Sequence, residues 1–371
     1  MTLKKLFFVC SLIVFSSLRA QDYRTEINIP DIPGYKVLKC DFHIHTVFSD
    51  GQVWPDFRAG ESWRDGLDAF AITDHIEYLP HKEDMVLDFN RSFEIAKSEA
   101  DGLDLIAVKG AEITRPMPPG HFNALFLKDN NSLDVPEWRD AIKAAADQGT
   151  FIFWNHPGWS GQQADSIAKW YEEHTEMLSK KWLHGIEVVN GPDYDPIAHK
   201  WCIERGLTML ANSDVHSPIS ANYDKSQNQH RPLTLVFVKE KSEQGLKDAL
   251  FAGNTVLYWN HHLIGKPEFL LELFWQSVSV KNNSVKAKGW SQLQINNNSE
   301  IDFELVLKRN VDGFRIPSKI KLNAGKTILF GIEGLEKEHI LQQIRIPFTV
   351  KNMWPEPEKG LEIGLDLNLT E

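Results

Sequence analysis

Cysteine is scarce in this chain, with three residues in 371, and one of them, Cys10, lies in the first twenty residues. Beyond those twenty only Cys40 and Cys202 remain. Two cysteines make no disulfide framework, and one bridge or two buried thiols are equally open readings. Long apolar runs are also missing. The run from Leu6 to Phe15 is too short to anchor a helix across a bilayer, and no later segment reaches ~18 uninterrupted apolar residues. Positive charge is in deficit, with 40 Lys and Arg against 51 Asp and Glu and a formal net charge of −11. Such a surface cannot displace counterions from a polyanion, so stable nucleic-acid binding is not expected, although a local positive site stays open. Low-complexity tracts and internal repeats are absent. What is present, 42% hydrophobic and 25% charged residues, suits one large core and a smaller one, hence two domains.

The first twenty residues have the pattern of a secretory signal. Lys4 and Lys5 open it, the apolar run follows, and Ser16-Ser17-Leu18-Arg19-Ala20 offers a small-residue cleavage site before Gln21. Cys10 sits inside the run, which argues against lipid attachment there. Cleavage would remove Lys4, Lys5 and Arg19 and no acid, lowering the formal charge by three to −14. The expectation is a secreted or periplasmic protein with no membrane anchor after processing.

From Tyr35 to about His262, short apolar runs alternate with amphipathic stretches in the rhythm of βα units. Candidate strands are Val37–Phe42, Asp68–Ile72, Leu105–Ile113, Phe122–Phe126, Phe151–Trp154, Gly185–Val189, Thr208–Ala211 and Leu233–Val238. Candidate helices are Trp54–Asp65, Val86–Ala100, Glu137–Gln148, Asp165–Leu178, Pro196–Arg205 and Ser242–Ala252. About 225 residues of this α/β pattern suit a (β/α)-type barrel with a missing or distorted unit. Beyond Gly265 the helical pattern stops and period-2 alternation takes over, in Ser277–Lys281, Leu293–Asn296, Asp302–Leu307, Lys319–Leu322, Ile344–Val350 and Leu361–Leu369. The reading is a signal over 1–20, a barrel over 21–264 and a small β-sandwich over 265–371.

The strongest local signal is Asp41-Phe42-His43-Ile44-His45-Thr46, followed by Ser49-Asp50-Gly51. Residues two apart in a strand face one side, so His43 and His45 can enter one site while Ile44 points away. Two imidazoles are half of a site for a borderline-soft divalent metal. Further ligand types follow other candidate strands: His75, Glu112, His156, and Asp214 with His216. A parallel barrel gathers such strand ends at one face. His121 begins its strand after Pro118-Pro119-Gly120, so that segment must approach the face from the opposite direction. His81, His174, His184, His199, His261, His262 and His339 lack a strand-end position or a partner and read as structural or surface residues, and His230 is undecided.

The segments Asp41–Asp50, Ala71–His75, Gly110–Glu112, Asn155–Gly158 and Ser213–His216 together resemble the ordered motifs of the PHP (polymerase and histidinol phosphatase) superfamily, in the arrangement of its stand-alone phosphoesterases. The likeness spans about Tyr35 to Gly253, with Asp50 where some members carry His. The resemblance implies a distorted (β/α)₇ barrel binding two or three divalent ions, Mn²⁺, Zn²⁺ or Fe²⁺. It implies one ion among His43, His45, Glu112 and Asp214, a second among Glu112, His121 and His156, and a third among Asp50, His75 and His216, with Glu112 bridging the first two.

Three divalent ions against the carboxylates of Asp50, Glu112 and Asp214 leave a positive remainder, which suits a small anionic phosphate ester on an acidic protein. The expected reaction is phosphoester hydrolysis, most simply of a diester, by in-line attack of a metal-generated hydroxide, with Glu112 and Asp214 shaping the centre and His216 a ligand first. Arg115 and Arg231 are candidates for phosphate oxygens, Trp154 and Trp159 for a pocket wall, and Asp74 for orienting an imidazole or capping a turn. A phosphomonoesterase, hydrolysis of an amide or lactone, and a non-enzymatic binding protein working through the sandwich are the alternatives.

Overall fold

The computed structural model describes residues 22–227, 229–287, 290–335 and 343–368. The secretory-signal segment, His339 and Leu369 lie outside the described residues.

The first domain is a curled sheet. Its strands are β1 (Lys36–Asp41), β2 (Ala69–Ile72), β3 (Ile106–Thr114), β4 (His121–Leu125), β5 (Phe151–Trp154), β6 (Gly185–Asn190), β7 (Asp193–Tyr194), β8 (Thr208–Asn212), β9 (Leu233–Val238), β10 (Thr255–Trp259) and β11 (His262–Gly265). The path runs β11-β10-β9-β1-β2-β3-β4-β5-β6-β7, with β8 also paired to β6. β1, β2 and β3 are parallel, as are β5, β6 and β8, whereas β4 is antiparallel to both its neighbours. That reversal places Thr114 opposite His121 and brings the start of β4 to the rim where the other strands end. Between β8 and β1 the barrel closes above the strands. Asp214 N donates to His43 O at 2.9 Å, His45 N to Val215 O at 3.1 Å, and the Asn212 side chain accepts from Phe42 N at 2.8 Å.

The helices are α1 (Pro55–Arg64), α2 (Arg91–Gly102), α3 (Trp138–Asp147), α4 (Glu172–Ser179), α5 (Pro196–Arg205), α6 (Ile219–Asn222), α7 (Glu243–Phe251) and α8 (Pro267–Ser277). α2 begins at Arg91, five residues after the expected Val86, the single turn α6 was not expected, and two further helices depart from expectation. α4 starts at Glu172 and not at Asp165, because the Asp165 carboxylate binds Ile167 N and Lys169 Nζ, Ser166 takes a positive φ of 54°, and the His174 ring accepts Tyr171 N. α8 occupies a stretch expected to hold no helix. Pro267 opens it, and Phe269, Leu270, Leu273 and Phe274 form one buried stripe facing the seam between the domains.

The second domain is the expected sandwich. Its strands are β12 (Val278–Ala287), β13 (Trp290–Asn297), β14 (Phe303–Leu307), β15 (Phe314–Arg315), β16 (Lys319–Leu322), β17 (Thr327–Gly334), β18 (Gln343–Val350), β19 (Met353–Trp354) and β20 (Leu361–Asn368). They form sheets β12-β13-β17-β15 and β16-β14-β18-β20. β19 leaves the sandwich and pairs with β11, so the barrel sheet extends into the second domain. Asn352 secures the joint by donating to His261 O and Asp302 O at 2.9 and 2.7 Å. Cys40 and Cys202 are buried free thiols, and burial pushes both up in pKa, so the disulfide reading is set aside.

Candidate metal centre

The rim built by these strand ends carries all nine residues expected as ligands. Four groups of ligand atoms converge: His45, Asp50, His75 and His216; His43, His45 and Glu112; His43, His156 and Asp214; and Glu112, His121 and His156. Of the three ion sets implied by the resemblance, the second reappears unchanged, the third gains His45, and the first is divided, with His43, His45 and Glu112 in one group and Asp214 grouped with His43 and His156. Glu112 is central. Its Oε2 lies 2.9 Å from His43 Nε2 and 3.2 Å from His45 Nε2, and its Oε1 lies 2.7 Å from His121 Nδ1. Asp214 Oδ1 lies 3.1 Å from His43 Nε2 and 3.0 Å from His45 Nε2, and Asp50 Oδ1 lies 3.2 Å from His216 Nε2.

Local backbone explains how short motifs deliver these groups. Gly51 turns back onto the His-x-His segment so closely that a Cβ there would sit 2.6 Å from Thr46 N. Only glycine fits, which accounts for Ser49-Asp50-Gly51. Asp74 holds the same turn from the neighbouring segment, accepting from Thr46 N, Thr46 Oγ1 and Ser49 Oγ, and among the described residues its carboxylate neither bonds an imidazole nor caps the turn that follows it. His156 and Asp214 adopt positive φ values of 28° and 51°, strained for residues with a Cβ and characteristic of positions held by their surroundings.

The electrostatics of the cage call for positive charge. Burial alone would depress His43 and His45, yet the surrounding carboxylates outweigh it, raising His43 well above its ordinary value and His45 to about 9. Despite their own burial, Glu112 is held low by His75 and His43, Asp214 by His43 and His45, and Asp50 by His216 and His75, and His156 is lowered by burial. Protons thus serve where cations would. His45 Nε2, Glu112 Oε1, His121 Nδ1, His156 Nδ1 and Asp214 Oδ1 are all buried without a hydrogen bond. Buried, unsatisfied donor atoms of imidazole and carboxylate type converging on one space fit divalent ions of borderline hardness.

Over the cage lies a cavity of about 870 Å³. His75, Glu112, His121, His156, Asp214 and His216 reach its floor, and Tyr78, Met117, Trp159, Gln162, Asn190 and Tyr223 are among its walls. Trp159 is 49% exposed and packs on His121 and His156, whereas Trp154 is fully buried against His174 at 3.7 Å and belongs to the core. Arg115 lines the cavity, but its guanidinium donates to Val135 O and Pro136 O and pairs with Glu77 at 2.7 Å. Arg231 is not in this cavity. It is buried between Asp41 and Asp65, at 3.1 and 2.8 Å, and its role is to neutralise them beneath the rim, which corrects the expectation that it meets substrate. His230 accompanies it, stacked on Tyr258 at 4.2 Å.

Three polar groups of the site were not among the expected site residues. Glu187, in the middle of β6, touches His43; Asn190 donates to both Glu187 and Asp214; and Arg58 of α1 donates to the carbonyls of His45 and His216. A charged residue inside the apolar run Gly185–Val189 was the available signal for the first. Nothing in the sequence pattern separates Arg58 from a solvated helix face.

Comparisons with known proteins bear on the fold and the family. A family model described as an Ig-like domain matches residues 277–366. An uncharacterised protein of Methanocaldococcus jannaschii is 26% identical over 194 residues, which cover 49% of this chain and 83% of that protein. A crystal structure from Bacteroides vulgatus, of a two-domain protein containing a predicted PHP-like metal-dependent phosphoesterase, superposes with a TM-score of 0.90 at 41% identity, covering 94% of this chain and 100% of that one. With its rim of converging His, Asp and Glu side chains, distorted barrel and Ig-like second domain, the chain belongs to this family of two-domain, PHP-like metal-dependent phosphoesterases.

Proposed function

We propose that this protein is a secreted phosphodiesterase that hydrolyses small organic phosphate esters at a centre of two or three divalent ions, Mn²⁺, Zn²⁺ or Fe²⁺. The observation that carries the diester preference is the state of Arg115. It is the only Lys or Arg among the described residues lining the cavity, and its charge is already engaged by Glu77 and two carbonyls. A monoester's terminal phosphate brings a second negative charge, and no free side-chain cation waits for it. A diester monoanion needs none. Trp159 and Tyr78, both about half exposed, offer apolar faces for the ester groups.

Bound ions would supply Lewis acidity toward the phosphoryl oxygens and lower the pKa of water. The chain's own residues do the rest. Glu112 directs its two oxygens into different ligand groups, which suits a bridge. His216 donates from Nδ1 to Asp214 O at 2.8 Å, leaving Nε2 as its electron-pair donor, so the geometry favours a ligand role over an acid role. Trp159, Tyr78 and Met117 form the apolar part of the wall above the floor.

Assays of the metal-loaded protein on chromogenic aryl diesters and monoesters test the reading. Diester turnover should dominate. Hydrolysis of neither ester by protein with its ions bound would overturn it, and a monoester preference would transfer the proposal to the monoesterase. Secretion is tested separately by N-terminal sequencing of exported protein, which should begin at Gln21; an intact Met1 would refute it.

A further inference from the structure

Glu187 lies at the middle of β6, 1% exposed, and no motif assigns it a role. Both of its oxygens face donors whose direction is fixed. Oε1 accepts from Asn212 Nδ2 at 2.9 Å, and that amide cannot be reversed because its Oδ1 accepts from the backbone Phe42 N at 2.8 Å. Oε2 accepts from the backbone His156 N at 2.9 Å and from Asn190 Nδ2 at 3.0 Å. Glu187 is therefore an acceptor at both ends. The remaining neighbour of Oε1 is His43 Nδ1, at 2.8 Å and also fully buried. Facing an acceptor, Nδ1 must carry a proton. In a neutral imidazole that leaves the lone pair on Nε2, which points at Glu112 Oε2 and Asp214 Oδ1, 2.9 and 3.1 Å away. Three acceptors cannot face one another without a cation between them.

We propose that Glu187 is a positioning residue of the metal centre: it fixes His43 as the Nδ1–H tautomer, presenting Nε2 to the ion shared with His45, Glu112 and Asp214, and through His156 N ties that ion's site to the neighbouring one. The inference rests on the metal-centre part of the functional reading and is independent of which ester is hydrolysed. Outer partners of this kind orient ligating imidazoles and typically govern metal affinity by about 10–100-fold.

Glu187→Gln preserves shape and removes the logic. Whichever way its amide points, one NH₂ meets an irreversible donor, either Asn212 Nδ2 or His156 N. The test uses the full chain with Zn²⁺ as probe, read in two ways. First, ¹⁵N-histidine NMR of the zinc-loaded wild type should show His43 protonated at Nδ1 and coordinated through Nε2; the opposite tautomer would overturn the proposal whatever the variant does. Second, competition titration against a chelator, run well below the metal-free melting midpoint that the buried donor clash lowers, should show one zinc equivalent bound about 10–100-fold more weakly by Glu187→Gln. Affinities within twofold of wild type for every equivalent would equally refute it. Neither readout involves turnover, so a protein that binds zinc in this way yet hydrolyses no phosphate ester would sink the functional reading and leave this one standing.

Discussion

Arg58 offers the most demanding test of how the rim is held. It is 1% exposed, on the face of α1 turned to the barrel. Nε donates to His45 O at 2.9 Å, Nη1 to Ser217 O at 2.9 Å, and Nη2 to Val215 O and His216 O at 3.1 and 2.7 Å. Nη1 also pairs with Glu61 at 2.8 Å, and the other oxygen of Glu61 accepts from Ile219 N at 2.7 Å. One guanidinium thus grips the backbone of two ligands, His45 and His216, from opposite sides of the barrel seam. In Arg58→Met the Glu61 carboxylate is left buried and unpaired, which costs about 3–5 kcal/mol. The carbonyl of His45 stays buried without a partner and adds about 1 kcal/mol, whereas Val215 O and His216 O keep His45 N and Gln52 N as donors and Ser217 O can rehydrate. The sum, roughly 4–6 kcal/mol, approaches the whole stability of an ordinary domain. Arg58→Lys keeps the charge opposite Glu61 but cannot reproduce the fork, so about 2–3 kcal/mol is expected. Urea unfolding of the metal-free barrel, followed by tryptophan fluorescence, measures the loss. Elemental analysis of refolded Arg58→Lys should show the His45, Asp50, His75 and His216 group emptied first. An Arg58→Met protein within 1 kcal/mol of wild type and with full metal content would refute the argument.

Trp159→Ala should raise KM for aryl esters by about 2- to 10-fold, the worth of one aromatic contact, and leave metal content unchanged; an unaltered KM would remove Trp159 from the substrate wall. Chelation should lower the thermal midpoint, since each ion held at 100 times its Kd stabilises by about 2.7 kcal/mol, and identical melts with and without chelator would contradict the ligand assignment. His174 supplies a pH test away from the ligands. Burial lowers it from 6.5 to about 4, and its neutral ring accepts from Tyr171 N and donates to Pro119 O. Because the unfolded chain binds its proton first, this contribution is fully present above pH 6.5 and is lost as pH falls toward about 4, at most about 3 kcal/mol. The stability difference between metal-free wild type and His174→Phe should narrow over that window; a difference independent of pH would show that the ring does not titrate as inferred.

Most of the candidate ligands were legible in the sequence because they follow short apolar runs, and parallel strands leave the tops of such runs at one rim; Asp50 was placed by the motif resemblance. His121 was legible for the complementary reason, since the turn before it announced a reversed strand. The rest was obscured where side chains break the pattern their element sets. α1 turns Arg58 and Glu61 inward, so its polarity reads as a solvated face although both are buried. β6 hides Glu187 in an otherwise apolar strand. α8 follows β11 across the single residue Lys266, so Lys266-Pro267-Glu268 reads as a turn and the short stripe behind it was missed ahead of the strand-like pattern from Ser277. Arg231 illustrates the converse. Its nearness in sequence to ligand segments suggested substrate, whereas the buried Asp41 and Asp65 require a cation whatever the reaction.

Glu187 also changes the charge balance that motivated an anionic substrate. Asp50, Glu112 and Asp214 bring three negative charges to the cage, and Glu187, bonded to His43, brings a fourth. Two divalent ions then leave no remainder, whereas three leave two positive charges. The attraction of an acidic protein for a phosphate ester thus depends on filling the group of His45, Asp50, His75 and His216, three of whose members line the cavity. A diester monoanion and one hydroxide together match two positive charges. A monoester dianion takes up both and leaves the hydroxide uncompensated, unless a further cation is at hand, and Arg115 is engaged elsewhere. Loss of the third ion should therefore weaken anion binding even where the other two ions stay. Arg58→Lys protein that retains two ions provides the test: inorganic phosphate should inhibit it far more weakly than wild type, and equal inhibition would show that the third ion does not set the charge of the site.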